Sequence, residues 1–63
     1  MSDLYTPAEV SARLKVPQRT LETWRYRGIG PPFIRLGKHV RYPAGDLDRY
    51  LQEQRHANGQ PQP

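Results

Sequence analysis

Residues 28–32 read GIGPP, and this short run limits the fold more than any other stretch. Proline fixes φ and lacks an N–H, and glycine weakens any regular element, so the run can be neither helix interior nor central strand. It predicts a stiff, irregular connector that swings the chain round to begin a new element. The chain has 63 residues, one domain at most. A chain of that size buries only about 60% of its unfolded surface. Its core must therefore be small and built from a few large side chains, drawn from Trp24, Phe33 and the tyrosines at 5, 26, 42 and 50. Cysteine is absent, so neither a disulfide nor a zinc–thiolate site can reinforce that core, which fits a reducing interior.

Ahead of the connector the pattern is helical. In TPAE, residues 6–9, Thr6 is a good N-cap, Pro7 suits the first turn and Glu9 completes a capping box. Tyr5 and Val10 hold the two positions of a hydrophobic staple, and Val10 and Leu14 share one face, which predicts a helix over about residues 7–14. Val16 can plug the turn that follows. Pro17 resists continuing the first helix and permits a second one over about 18–27, ended by Gly28 in a left-handed C-terminal position. Leu21 and Trp24 face the first helix. The faces left over carry Gln18, Arg19, Glu22, Thr23 and Tyr26, a polar, hydrogen-bonding surface. Two short helices with a tight turn make a helix-turn-helix, whose second helix is the usual major-groove reader; the usual turn glycine is absent, and a plain helical hairpin is the alternative.

Behind the connector, FIRLGKHVRY reads as a β-hairpin. A two-residue loop at Gly37 and Lys38 would pair Leu36 with His39 and Ile34 with Arg41, mixing apolar and charged groups on each face. A three-residue loop over 37–39 would pair Leu36 with Val40 and Ile34 with Tyr42. It would gather the apolar residues on one face and leave Arg35 and Arg41 on the other, with Lys38 and His39 at the tip. A one-residue slip exchanges the faces of a strand, so the cleaner separation favours the three-residue loop. An isolated hairpin is marginal, so its apolar face must rest on the helices. In PAGDLDRYLQEQ, Pro43 ends the strand, Asp46 or a residue just before it caps, and Leu47, Tyr50 and Leu51 recur at helical spacing in a third helix that closes the core. Residues 1–55 then form the domain. Residues 56–63, HANGQPQP, show no apolar periodicity and read as a disordered tail. No internal repeat is visible.

Charge is placed unevenly. Residues 13–41 hold eight Lys or Arg against the single acid Glu22, while both flanks are mildly acidic and the whole chain carries +4. A basic middle favours an anionic partner there, the alternative being a solvated basic surface with no partner. No apolar run approaches the roughly 20 residues of a membrane span, and no signal peptide is visible, so a cytoplasmic protein without a membrane partner is expected. Catalytic chemistry finds little support. His39 falls at a hairpin tip and His56 in the tail, neither with a triad partner, and Asp46 and Asp48 point to different sides. GIGPP lacks the Lys-Ser/Thr and the helix that a phosphate loop needs. Two histidines and scattered acids make a poor metal site. The chain is therefore read as no enzyme, with no catalytic residue, no metal and no cofactor.

Nucleic-acid binding requires a cationic field for phosphate, a polar element that reaches base edges, and a scaffold that holds both. The second helix supplies the reader, and Arg35, Lys38, His39 and Arg41 on the hairpin supply the cations. The order of elements, carried by YTPAEVSARL, VPQRTLETWRYRG, PPFIRLGKHVRY and GDLDRYL, resembles the winged helix-turn-helix domain of the MerR-like superfamily. Within it, the chain is similar to the small excisionases of phages and mobile elements, the recombination directionality factors. The resemblance covers nearly the whole chain to about residue 53. It implies a mainly α fold with a small β-hairpin: helix, helix, two-stranded wing, short helix. It implies recognition-helix contacts at Gln18, Arg19, Glu22, Thr23 and Tyr26, wing contacts at Arg35, Lys38, His39 and Arg41, and a buried aromatic at Trp24. Two departures stand out. Pro17 replaces the Ser or Thr that often caps the second helix, and the long coiled-coil helix of MerR regulators is missing. Stable dimerisation and a small-molecule effector are therefore not expected. The partners implied are double-stranded DNA, neighbouring copies of the chain bound cooperatively, and an integrase whose reaction is directed toward excision by DNA bending, in the nucleoid or in the host cytoplasm of a phage. A small MerR-like transcription regulator shares the same module, and a protein–protein adaptor using the polar helix face is the alternative of another class.

Overall fold

A computed structural model describes residues 3–58. Its elements run β1 (Leu4–Tyr5), α1 (Pro7–Leu14), α2 (Gln18–Arg27), β2 (Ile34–Leu36), β3 (His39–Pro43) and α3 (Ala44–Asn58). The fold is a winged helix-turn-helix, mainly helical, with the β2–β3 hairpin as the wing. Strand β1 was not expected from the sequence. It pairs antiparallel with β3 through Leu4 opposite Pro43 and Tyr5 opposite Tyr42, giving a three-stranded sheet ordered β1-β3-β2.

Both early helices begin and end where their local chemistry directs. Thr6 Oγ1 accepts from the Glu9 N–H at 3.1 Å, and Glu9 Oε1 accepts from the Thr6 N–H at 2.8 Å, which completes the capping box. α1 stops at Lys15, which takes the left-handed conformation (φ 57, ψ 40) that a turn glycine would ordinarily supply. Ser11 holds that turn: its Oγ donates to the Val16 carbonyl at 2.6 Å and its own carbonyl accepts from the Val16 N–H. α2 starts behind Pro17 without a side-chain cap and ends at Gly28 with φ 74.

The core takes one residue from α1 (Val10), one from α2 (Leu21), two from β3 (Val40 and Tyr42) and one from α3 (Leu47). Tyr5, Leu14, Val16, Trp24 and Phe33 pack around it half-buried. Trp24 is thus a partly exposed wall of the core and not the fully buried aromatic that the family resemblance implied. The connector passes over it, with Gly30 (φ 88) against the indole.

The wing corrects the register read from polarity. It closes through a two-residue turn at Gly37 and Lys38, with Leu36 opposite His39, Arg35 opposite Val40 and Ile34 opposite Arg41. Gly37 has φ 65 and Lys38 does not share the positive φ, the pattern of a type II′ turn with glycine first, whose twist matches that of the strands it joins. Directly opposed residues share a face. Val40 and Arg35 therefore lie on the inner side, and Ile34, Leu36, His39 and Arg41 on the outer side. Arg35 and Arg41 do not share a face. Turn chemistry prevails over polarity here because β3 alone supplies the core residues, leaving β2 exposed along its whole length.

α3 also differs at both ends. It begins at Ala44, whose N–H donates to the Asp3 carbonyl at 2.7 Å, so Asp46 lies inside the first turn and is not the cap. An acid there still favours the helix N-terminus electrostatically. The helix extends to Asn58, so residues 56–58, read as tail, are helical; residues 59–63 lie outside the described residues. Leu47 is buried, Tyr50 half-buried and Leu51 exposed.

Candidate nucleic-acid interface

α2 turns Leu21 inward and leaves a long polar side outward. Gln18, Arg19, Glu22, Thr23 and Tyr26 are all exposed. Tyr26 is 91% exposed, an unusual placement for a large aromatic ring on a short helix. Arg27 is exposed as well and continues the four-residue spacing of Arg19 and Thr23, so these three occupy one line on the helix surface. Arg27 is not among the sequence candidates, although its four-residue spacing from Thr23 signals it.

The four wing residues divide by position. Lys38 stands in the turn and His39 beside it opposite Leu36; both are exposed. Arg35 is exposed, with its guanidinium carbon 5.5 Å from the centre of the Phe33 ring. Arg41 is half-buried, and its Nη1 donates to the Val40 carbonyl at 2.8 Å, so part of its donor capacity is spent on its own strand. The structure thus brings Lys38, His39 and Arg35 to the surface of one hairpin and holds Arg41 closer to the backbone.

Helix and wing are joined by contacts that the sequence did not reveal. Arg25, in the last turn of α2, donates from Nη1 to the Tyr42 hydroxyl at 2.7 Å. The same guanidinium lies 5.9 Å from the Phe33 ring centre, and the Phe33 and Tyr42 rings are 6.1 Å apart and tilted by 53°. Phe33 therefore has a guanidinium from α2 and one from β2 within cation–π range. Charge count alone could not separate Arg25 from its surface neighbours, because its role depends on a tyrosine 17 residues away. Arg13 is likewise engaged, its guanidinium carbon 4.3 Å from the Tyr5 ring centre. Lys15, Arg19, Arg27 and Lys38 remain exposed cations spread over the turn, the helix and the wing.

Cations on a groove-sized helix that also carries hydrogen-bonding side chains, and on a hairpin tied to it through Arg25, supply groups that can neutralise phosphate and reach base edges. Among the described residues no helix is long and apolar enough to cross a membrane. No curated protein sequence matches the chain. A family model described as a helix-turn-helix domain matches residues 4–55, which span all six elements from β1 into α3. The chain belongs to the helix-turn-helix domain family and is a DNA-binding helix-turn-helix protein.

Proposed function

We propose that the chain is a sequence-specific, architectural DNA-binding protein of the excisionase kind, which directs integrase-mediated recombination toward excision. α2 enters the major groove and contacts the DNA with Gln18, Arg19, Glu22, Thr23 and Tyr26. Reading in this motif concentrates on the N-terminal part of the helix, so Arg27 at its far end falls to phosphate. Lys38 and His39 at the wing tip anchor on the backbone beside the groove, with Arg35 and Arg41 adding charge from opposite faces of the hairpin. The observation that carries the reading is the exposed polar side of α2 in one small domain with a basic hairpin that Arg25 ties to it.

Bending is what the excisionase resemblance implies, and small size then calls for several copies. Bending a short DNA site by 40–90° costs on the order of 1–6 kcal/mol. One domain of this size covers little DNA, so neighbouring copies bound cooperatively would share that cost. The test is a mobility-shift titration against duplexes selected from a random pool, followed by an excision assay with the matching integrase. Cooperative binding that bends the site and stimulates excision supports the reading. Specific binding with no effect on excision assigns the domain to transcription control. Absence of any duplex complex at low salt would sink both and favour a protein adaptor.

A further inference from the structure

We infer that Arg25 and Tyr42 are positioning residues that set the angle between the reading helix and the wing, and that Arg25 is withheld from DNA for this purpose. In its consequence for binding, the inference rests on the DNA reading above. Tyr42 is 1% exposed, so its ring cannot touch a ligand on the surface. Its hydroxyl nevertheless accepts from Arg25 Nη1 at 2.7 Å, across 17 residues of chain that include the whole connector. That connector runs from Gly28 past two prolines and packs through Gly30 on Trp24, and the Arg25–Tyr42 bond adds a direct tie from α2 to β3.

Phe33 completes the link. It immediately precedes β2, faces Tyr42 at 6.1 Å, and has the Arg25 and Arg35 guanidinium carbons at 5.9 and 5.5 Å from its ring centre. A planar guanidinium suits this place, since it can hydrogen-bond along its edge and stack with its face toward a ring. Val40 is held by packing, and β3 is also paired with β1 through Leu4 opposite Pro43 and Tyr5 opposite Tyr42, but neither is a directed bond to α2. A directed hydrogen bond from the last turn of α2 to β3 resists rotation as well. Base reading and phosphate anchoring reinforce each other only when their separation is fixed. A wing that rocks loses the advantage of being attached, in the way that a loose tether lowers effective concentration.

The substitution that isolates this role is Tyr42→Phe, which keeps the ring and removes only the hydroxyl. In the unliganded protein, residual dipolar couplings of amides in α2 and in the wing report their relative orientation. Each element should remain internally unchanged in Tyr42→Phe while the orientation between them shifts or broadens; an unchanged orientation overturns the inference. On a selected duplex, Tyr42→Phe should weaken binding about tenfold, the scale of one well-placed hydrogen bond. Lys38→Ala should cost about tenfold in the wild-type background but no more than about threefold in Tyr42→Phe, because a rocking wing no longer delivers that cation to a fixed phosphate. Equal cost of Lys38→Ala in both backgrounds overturns the inference, since a merely structural role would lower the melting temperature without changing this coupling. Arg25→Gln should reproduce the loss and the changed coupling of Tyr42→Phe. If instead it lowers the salt dependence by about one phosphate contact while Tyr42→Phe binds normally, Arg25 touches DNA and the inference fails. A wild-type chain that binds no duplex removes the DNA reading, whereas one that binds with wing and helix uncoupled removes this inference alone.

Discussion

Gly30 lies so close to Trp24 that a Cβ placed on it would sit 2.8 Å from Trp24 Cε3 and 3.1 Å from Trp24 Cβ. The connector is therefore a packed lid over the back of α2 and not a slack loop. Gly30 also has φ 88, a conformation that L side chains rarely adopt. Gly30→Ala would meet both obstacles together. We expect a loss of roughly 2–4 kcal/mol, combining backbone strain with overpacking against the indole. Urea denaturation measures it, and a midpoint equal to wild type would mean that the connector does not hold Trp24 in solution. By contrast, a side chain at Gly28 meets nothing within 4 Å, so Gly28→Ala should suffer from its φ of 74 alone and lose less.

The register of the wing gives a second prediction. Leu36 is 50% exposed and Ile34 39% exposed, whereas Val40 and Tyr42 are buried. Leu36→Thr should change stability by no more than about 0.5 kcal/mol, as expected for a surface site away from special backbone geometry. Val40→Ala removes buried methyl groups and should cost about 1–3 kcal/mol. Paired melts of the two variants decide the matter. A large loss for Leu36→Thr would restore the three-residue loop, in which Leu36 belongs to the core.

That reversal shows what a sequence of this kind makes legible. α1 and α2 have the bounds expected of them because Thr6, Pro7, Glu9, Pro17 and Gly28 act within a few residues of where they stand. The wing was visible as a hairpin, but polarity pointed to the wrong register. Sorting apolar from charged residues assumes that every apolar strand residue is needed inside, and a core of five residues has no room for Ile34 and Leu36. Gly37 followed by Lys38 was the better guide, since glycine at the first position of a two-residue turn fixes pairing by backbone geometry. β1 was missed because two residues have no period to detect, and its partner strand is more than 35 positions away. The exposed candidates on α2 could be picked out from helical spacing, while the Arg25–Tyr42 link could not, since it exists only after the wing has folded back on the helix.

Lys15 supplies a third prediction. It is the one non-glycine residue with positive φ among the described residues, and it fills the turn of the helix-turn-helix. A left-handed L residue carries a steric cost of about 1–2 kcal/mol that glycine escapes, partly offset by glycine's larger freedom in the unfolded chain. Lys15→Gly should therefore stabilise the domain by roughly 0.5–1 kcal/mol. For a domain of this size that raises the melting temperature by roughly 2–8 °C. A calorimetric scan checks it, and a lower melting temperature would indicate that the lysine side chain contributes more than its backbone costs.

The last prediction separates reading from anchoring. Arg19 and Lys38 are both exposed, so Arg19→Ala and Lys38→Ala should leave stability within about 0.5 kcal/mol of wild type. Their effects on DNA should differ in kind. Lys38 stands in the turn of the wing, and in the proposed role its flexible ammonium would meet phosphate as a point charge. Its removal should weaken binding to all duplexes alike and reduce the slope of log affinity against log salt by about 1. Arg19 stands in the first turn of α2, the part of a reading helix that meets base edges. Arg19→Ala should cost about 1–3 kcal/mol on the preferred site, much less on unrelated sequence, and relax the preference at one or two base positions. Titrations of preferred and scrambled duplexes over a range of salt yield both quantities together. If Arg19→Ala weakened all duplexes equally, with the same drop in salt slope as Lys38→Ala, α2 would be gripping the backbone. Base reading would then have to come from another part of the domain.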